Sequence, residues 1–295
     1  MPRSAVASFV AGFRCPRRRD VPAVIVFGYT TPFALGVLLG ARTSHKPVFT
    51  QSDSTLASGD GRHAVRDWLK RSILRVLYSS KGSVAWVISA ENLEYWWHYG
   101  IRRFARVDFE SPVPVHPGAC QEAQNLRSSM GLTGHDKVIL TVCRITRGKG
   151  VGELSEAVRA LRRQGVPAHL VVVGKASEPD VIDEGPGVTL LGSLERGRLA
   201  GAYLMADVFA LASHDEPYGL VVREALQFGL PVVATDGVPA ARHLCDHGWN
   251  VVETKSVEAL AAALHRALLE GRWTARPPVT TWTFYAKQLH SVLAL

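Results

Sequence analysis

The sequence has few cysteines, and none of them belongs to a recognisable metal-binding or disulfide pattern. Its four cysteines, Cys15, Cys120, Cys143 and Cys245, are scattered over 295 residues without a Cys-x-x-Cys spacing. A zinc site or a disulfide-stapled scaffold needs such spacing or a higher density of cysteine. His-Glu-x-x-His and Asp-x-Asp motifs are also absent from the sequence, so it predicts no metal site. A reducing cytoplasm is the simplest location for such a chain.

Long apolar runs are missing as well. A membrane-spanning helix needs about 20 consecutive apolar residues, and the run at residues 5–13 is far shorter. That run resembles the middle of a signal peptide only weakly, because Arg14, Arg17, Arg18 and Arg19 follow where a cleavage site would lie. The sequence therefore predicts a protein that is not exported.

Acidic residues are scarce in the first part of the chain. Residues 1–135 hold 17 Lys and Arg against 9 Asp and Glu, whereas residues 136–295 hold 17 of each, so the whole net charge of +8 lies in the first part. A basic half could contact an anionic membrane, nucleic acid or a phosphorylated substrate, or be a solvated face without a partner. No nucleic-acid-binding motif accompanies the charge, so nucleic acid is not an expected partner.

The second half alternates short apolar runs with helical patterns. Runs typical of strands occupy residues 138–142, 170–173, 188–191, 208–211, 231–234 and 251–252, and helical periodicity occupies 153–163 and 257–269. Ser256 and Gly271 suit the start and the end of the last helix. Continuous hydrophobic strands separated by helices predict a parallel sheet covered on both faces. The predicted fold class is α/β, with a complete doubly wound, Rossmann-like domain in this half.

The first half shows the same rhythm only in part. Strands are predicted at residues 23–27, 47–50 and 84–88, and a helix at 62–78. The aromatic residues at 95–99 could stack on a sugar or enter a membrane interface, but helix packing is the favoured interpretation. A turn-rich stretch at 111–118 predicts a linker. These patterns predict a partial Rossmann-like domain over residues 1–113 and a second domain over 114–279.

The most informative segment follows the predicted strand at 208–211. Glu216-Pro-Tyr-Gly-Leu-Val-Val-Arg-Glu224 begins in a loop and enters a helix near Gly219. Ligands of an open α/β sheet bind at the carboxyl ends of its strands, where this loop lies. The amides of Gly219, Leu220 and Val221 would form a helix N-terminus, which attracts an anion such as a diphosphate. Glu216 and Glu224 can face one ligand, and carboxylates without metal ligands beside them suit sugar hydroxyls.

A second loop directly follows the predicted strand at 138–142. It places Arg144 and Lys149 in a Gly-flanked loop at the same edge of the sheet. Two cations there would neutralise a diphosphate, Arg144 as a planar fork and Lys149 as a point charge. Short basic loops are common on protein surfaces, so this prediction depends on both loops occurring together.

Together the two loops resemble the family 4 retaining glycosyltransferases of GT-B architecture. Glu216 to Glu224 is similar to their E-x7-E signature, Arg144 and Lys149 to their Arg-x4-Lys element, and the resemblance covers about residues 137–271. It implies transfer of a sugar, with retention, from a nucleotide-diphosphate-sugar to an acceptor hydroxyl, without metal or other cofactor. By position, Arg144 and Lys149 would hold the diphosphate, Glu216 the sugar hydroxyls and Glu224 the ribose. The amides of Gly219, Leu220 and Val221 would meet phosphate or sugar oxygens.

The resemblance is thinner in the first half. Residues 47–55 resemble a strand end where many family members place a histidine near the reacting centre, and here Asp53 takes that position. Asp53 could be a positioning or assisting group, or a backbone cap in a Ser/Thr-rich turn. Residues 281–293 resemble the family's closing helix, so 280–295 are predicted to pack back on the N-terminal domain. The family's opening strand and Gly-rich acceptor loop have no counterpart in this sequence.

Two functions follow as hypotheses. The first is a glycosyltransferase whose acceptor, a small molecule, a glycan or a lipid-linked compound, the sequence leaves open. The alternative is a non-catalytic or partner-dependent nucleotide-sugar-binding protein, which the short first domain suggests. Both would be cytoplasmic, and the basic first domain permits peripheral contact with an anionic inner membrane face.

Overall fold

The computed structural model describes residues 4–56, 64–78, 83–106, 112–182, 184–245 and 247–273. These residues form two compact units: unit 1 holds those from 4 to 106, and unit 2 those from 112 to 273. Each unit contains its own parallel sheet and its own hydrophobic core. The predicted α/β class, with two Rossmann-like halves, is therefore confirmed. The helix predicted within 280–295 lies outside the described residues.

Unit 1 contains a parallel sheet of four strands in the order β1-β2-β3-β4. Its strands are β1 (Val24–Phe27), β2 (Val48–Gln51), β3 (Val84–Val87) and β4 (Phe104–Arg106), and its helices are α1 (Ala5–Arg14), α2 (Pro32–Thr43), α3 (Ala64–Leu77) and α4 (Ala90–His98). Each strand pairs with its neighbour in sequence. Within the residues described for unit 1, the sheet therefore shows no reversal of strand order, the feature that creates the ligand crevice of a doubly wound domain.

The apolar run at residues 5–13 forms most of α1, which packs closely against α2. A Cβ atom on Gly36 would overlap the carbonyl oxygen of Phe9, and one on Gly40 would overlap that of Phe13. Residues four apart lie on one face of a helix, so both glycines of α2 face α1. The two backbones can approach this closely only because glycine has no side chain. Helix α1 is thus a packed element of unit 1.

Most of the aromatic residues at positions 95–99 lie in the core of unit 1. Tyr95, Trp96 and Tyr99 are buried in this core, whereas Trp97 is 56% exposed. Trp96 makes edge-on ring contacts with Tyr78 and Tyr95, at centroid distances of 5.5 and 5.4 Å. The interpretation of residues 95–99 as helix packing is confirmed for the three buried rings.

Unit 2 contains a parallel sheet of six strands in the order β10-β9-β8-β5-β6-β7. Its strands are β5 (Lys137–Val142), β6 (Ala168–Val173), β7 (Val188–Gly192), β8 (Val208–Leu211), β9 (Val232–Thr235) and β10 (Val251–Val252), and its helices are α5 (Ala119–Ser129), α6 (Val151–Arg163), α7 (Leu199–Met205), α8 (Leu220–Gln227), α9 (Pro239–Leu244) and α10 (Val257–Glu270). The strand order reverses between β5 and β8, which pair directly. Their carboxyl ends form the topological switch point, where such sheets bind ligands.

All six strands predicted for unit 2 are present, with shifts of one or two residues at their ends. Ser256 caps α10 as predicted, since its side chain accepts a hydrogen bond from the Ala259 amide, and Gly271 follows the last residue with φ 74°. In the core of unit 2, Ile139, Leu154 and Leu264 are fully buried. Well-packed strands on both sides of the switch point fix where the loops that follow β5 and β8 begin.

Candidate functional site

The loops after β5 and β8 meet through their backbones. Gly150 ends the first loop with φ 62°, and a Cβ atom there would overlap the carbonyl oxygen of Ala212, directly after β8. The N–H of His214 donates a hydrogen bond to the Gly148 carbonyl at 2.9 Å. Two segments more than 60 residues apart in sequence are therefore held as one surface at the switch point.

Lys149 and Glu216 form an ion pair on this surface. The distance from Lys149 Nζ to Glu216 Oε2 is 2.5 Å, and the hydroxyl of Ser213 donates to the same oxygen at 3.2 Å. The two side chains are 23% and 17% exposed, so a ligand could reach both of them. The structure thus brings together a cation and a carboxylate that the sequence predicts from separate motifs.

Arg144 lies in the same loop but outside this ion pair. Its side chain is exposed, and none of the residues described in the structure forms a hydrogen bond or ion pair with it. The preceding residue, Cys143, is partly buried, and burial raises the pKa of its thiol to about 11. At neutral pH this thiol is therefore protonated and is a poor nucleophile.

Helix α8 begins beside Glu216, as the sequence predicts. Gly219 precedes it with φ 97°, and no side chain caps this end of the helix. The amides of Leu220 and Val221 are in its first turn, where N–H groups have no partner within the helix. Gly219 is buried and the next two residues are partly exposed. The arrangement offers main-chain donors to an anion.

Glu224 lies one turn further along α8 and belongs to a different network. Its Oε2 accepts a hydrogen bond from the Tyr203 hydroxyl at 2.7 Å, and its Oε1 lies 3.6 Å from a guanidinium nitrogen of Arg196. Burial raises the pKa of Glu224, although the Tyr203 hydrogen bond and the Arg196 charge oppose that shift. Burial also raises the pKa of Tyr203, and the Glu224 charge adds to it.

Sequence reasoning missed several residues that support these groups. Tyr203 lies on α7, Arg196 in the short 3-10 turn before it, and Ser213 just after β8. His214 Nε2 lies 2.8 Å from Glu153 Oε1 of α6, which fixes the start of the Glu216 loop. Ser213 and His214 lie next to the motif from Glu216 to Glu224, so their position in the sequence could have suggested them. The other supporting residues do not lie next to a motif that carries such a signal.

Asp53 lies in unit 1, exposed in the loop after β2. In the residues that the structure describes, no group of three or more His, Cys, Asp and Glu side chains is arranged to hold a metal ion. Within the same residues, no helix combines the length and the apolar character needed to cross a membrane.

A Rossmann-like unit with polar and charged loops at its switch point, in a chain with a second parallel unit, is the organisation of GT-B proteins. The sequence model of the family "Glycosyl transferases group 1" matches residues 122–277, more than half of the chain. The chain belongs to this family.

Individual relatives agree with the family assignment. A D-inositol 3-phosphate glycosyltransferase of Xylanimonas cellulosilytica is 34% identical over 139 residues, which cover 43% of this chain and 33% of that protein. The alpha-monoglucosyldiacylglycerol synthase of Acholeplasma laidlawii is 27% identical over 120 residues, 38% of this chain and 30% of that protein. The chain thus spans well under half the length of the curated relatives it matches.

Solved structures share the fold. HepE of Anabaena, crystallised with UDP and glucose, superposes with a TM-score of 0.70 at 18% identity, covering 97% of this chain and 81% of that chain. At this identity the likeness concerns the fold alone. The GT-B-like fold expected from the two sequence motifs is therefore confirmed.

Proposed function

We propose that the protein transfers a sugar from a nucleotide-diphosphate-sugar to an acceptor hydroxyl. The observation that carries this proposal is the Lys149–Glu216 ion pair beside the N-terminus of α8, at the switch point of unit 2. A diphosphate needs cations and main-chain donors, and a sugar needs hydrogen-bond acceptors such as a carboxylate. Both kinds of group are present within one surface. HepE, with the same fold, was crystallised with UDP, which makes uridine nucleotides the first donors to test.

Donor binding would exchange the partners of the ion pair. The diphosphate would replace Glu216 as the partner of Lys149, and Glu216 would then accept hydrogen bonds from the sugar hydroxyls. Arg144, which is exposed, would turn toward the diphosphate, and the Leu220 and Val221 amides would donate to its oxygens. Glu224 would use Oε1 for the ribose hydroxyls, because Tyr203 already occupies Oε2.

We further propose that the transfer retains the anomeric configuration and needs no metal. The bond from the anomeric carbon to the diphosphate oxygen breaks, and the acceptor oxygen bonds to the same face of that carbon. The acceptor proton passes to the departing phosphate oxygen. Lys149, Arg144 and the α8 amides stabilise the negative charge that develops on the diphosphate. In many enzymes, electrostatic stabilisation of this kind contributes more to the rate than any other effect.

Two substitutions in unit 2 test this proposal. Lys149→Ala and Glu216→Gln should each lower the rate of nucleotide release from a sugar donor on the order of 10²-fold, as removal of one charge-stabilising donor does elsewhere. Glu156→Gln, an exposed carboxylate on α6, is the control and should leave the rate unchanged. Full activity in both site variants would contradict the proposal. The anomeric proton coupling of the product decides whether configuration is retained.

The alternative, a nucleotide-sugar-binding protein that is inactive alone, draws on unit 1. In the described part of unit 1 the strand order does not reverse. This unit, which would bind the acceptor, therefore shows one half of a doubly wound sheet. Calorimetric titration with nucleotide sugars separates the two proposals. Binding without turnover, followed by activity when a second polypeptide is added, would favour the alternative.

We also propose that unit 1 contacts an anionic membrane surface from the cytoplasmic side. Val6 and Val10 on α1 are 73% and 38% exposed, and the exposed arginines 14, 17, 18 and 19 follow directly. The first 52 residues contain seven Lys and Arg and a single acidic residue, Asp20. Apolar side chains beside a basic cluster suit the surface of an anionic bilayer. One relative is named for a lipid product, which fits an acceptor at a membrane.

A further inference from the structure

The loop after β2, residues 52–54, is held from both sides by one buried side chain. Asn92 of α4 is fully buried. Its Nδ2 donates to the carbonyl oxygen of Ser52 at 2.8 Å and to that of Ser54 at 2.9 Å, and its Oδ1 accepts from the Ile88 amide at 3.4 Å. Both donors of the side-chain amide are therefore used on this loop.

The two hydrogen bonds lie on either side of Asp53. Because they fix the carbonyl groups of both neighbouring residues against α4, the backbone of Asp53 has little freedom to rotate. The Asp53 side chain remains exposed at the carboxyl end of β2, the edge of a parallel sheet where ligands bind. Only a side-chain amide offers two donors from a single nitrogen together with an acceptor at this size.

Helix α4 is itself fixed at this point. The Ser89 hydroxyl caps the helix by accepting from the Asn92 amide at 3.2 Å. The Tyr95 hydroxyl, one turn later, hydrogen-bonds the Tyr29 hydroxyl, and Tyr29 follows β1. Both amide donors of Asn92 thus tie the loop to a helix that is itself held by its cap and by the Tyr95–Tyr29 hydrogen bond.

We propose that Asn92 is a positioning residue of the transfer reaction, which holds Asp53 where it meets the acceptor hydroxyl at the carboxyl end of the unit 1 sheet. This inference rests on the proposed function. In this role Asn92 touches neither substrate, and its effect on the reaction passes through Asp53. A purely structural Asn92 would instead affect stability and leave the contribution of Asp53 unchanged.

A double-mutant cycle separates these two roles. Asn92→Ala and Asp53→Ala should each lower kcat for sugar transfer, by up to the order of 10²-fold expected for a misplaced reacting group. Asn92→Ala should add almost nothing in the Asp53→Ala background, because residues that act as a unit are non-additive. Nucleotide affinity, measured by calorimetry, should stay unchanged in all three variants. An equal loss from Asn92→Ala in both backgrounds would overturn the proposal.

Ser89→Ala is the matched control. It removes the cap of the same helix and lowers the melting temperature, but it leaves both loop hydrogen bonds in place, so kcat should be retained. If Ser89→Ala lowers kcat as much as Asn92→Ala does, the effect comes from α4 and the proposal is wrong. Should Asn92→Ala fail to fold, Asn92→Ser, which keeps one donor, replaces it in the cycle with an intermediate loss expected.

Hydrogen–deuterium exchange gives a readout that does not depend on activity. Faster exchange of the amides at residues 52–56 is expected in Asn92→Ala but not in Ser89→Ala. Unchanged exchange in Asn92→Ala would overturn the proposal even if activity fell. If the wild-type protein turns over no nucleotide sugar, the proposed function fails, and the exchange experiment still decides whether Asn92 holds the loop.

Discussion

The buried surroundings of the Glu224 side chain disfavour its ionised form. Burial removes water from the carboxylate, and the Tyr203 hydroxyl and the Arg196 guanidinium replace that water only in part. The pKa of Glu224 is therefore higher in the folded protein than in the unfolded chain. Over the pH range between the two pKa values, the folded state binds a proton that the unfolded state has lost. Stability from this group consequently increases as the pH falls through that range.

Glu224→Gln tests the sign of this linkage. Glutamine keeps the shape and the acceptor for Tyr203 but carries no charge, so it lacks the cost of a buried carboxylate at neutral pH. The melting temperature of the variant relative to the wild type should be highest near pH 7 and should decrease as the pH falls toward 4.5, the ordinary value for Glu. Glu156→Gln should show no such trend. A difference that grows on acidification would contradict the shift.

The sequence predicts those residues of the candidate site whose interaction partners also belong to a sequence motif. Lys149 and Glu216 each follow a strand, and β5 and β8 adjoin, so their proximity follows from the topology. Tyr203 and Arg196 could not be found in this way. They reach Glu224 from a helix and a turn without any motif, and only the packing of unit 2 brings them there.

At the scale of elements, the Gly150 turn joins the two loops of the candidate site. Gly150 and Gly131 have nearly the same positive φ, 62° and 67°, but a Cβ atom on Gly131 would meet nothing within 4 Å. Gly131→Ala should therefore cost only the backbone strain, about 1–2 kcal/mol. Gly150→Ala carries the same strain and also forces the Lys149 loop away from the Ala212 carbonyl.

Urea denaturation and calorimetry together check this comparison. Gly150→Ala should lose clearly more free energy of unfolding than Gly131→Ala, with an unchanged slope against urea. It should also bind UDP more weakly, because Lys149 adjoins the displaced residue, whereas Gly131→Ala should bind normally. Equal losses in both variants would show that the loops do not depend on this close approach.

The success of the predictions at this scale follows from periodicity. Helices α6 and α10 bury a regular apolar stripe, and the strands of unit 2 are continuous apolar runs, so both were predictable. Helix α2 was missed because Gly36 and Gly40 disfavour a helix in isolation. In the structure those two glycines allow α1 to pack closely against α2. This tertiary contact outweighs the low helix propensity of glycine. Helix α5 was missed because few of its residues are apolar.

At the scale of the whole molecule, the net positive charge is distributed unevenly along the chain. The excess of Lys and Arg lies in residues 1–135, most of which belong to unit 1, whereas the candidate site lies in a part of the chain without net charge. Under the proposed function, donor binding in unit 2 would therefore depend on local groups such as Lys149 rather than on long-range attraction. The basic excess in the first part of the chain is available for a different anionic partner.

Vesicle flotation tests whether that partner is a membrane. The protein should float with phosphatidylglycerol vesicles and not with phosphatidylcholine vesicles, and raising the salt from about 0.05 to about 0.5 M should release it by screening. Each arginine near an anionic surface contributes about 1 kcal/mol, so Arg14→Ala with Arg19→Ala should weaken binding about 30-fold. Val6→Asp with Val10→Asp should weaken it through the apolar contact. Arg163→Ala, an exposed arginine of unit 2, should have no effect, and equal flotation with both lipids would contradict an anionic surface as the partner.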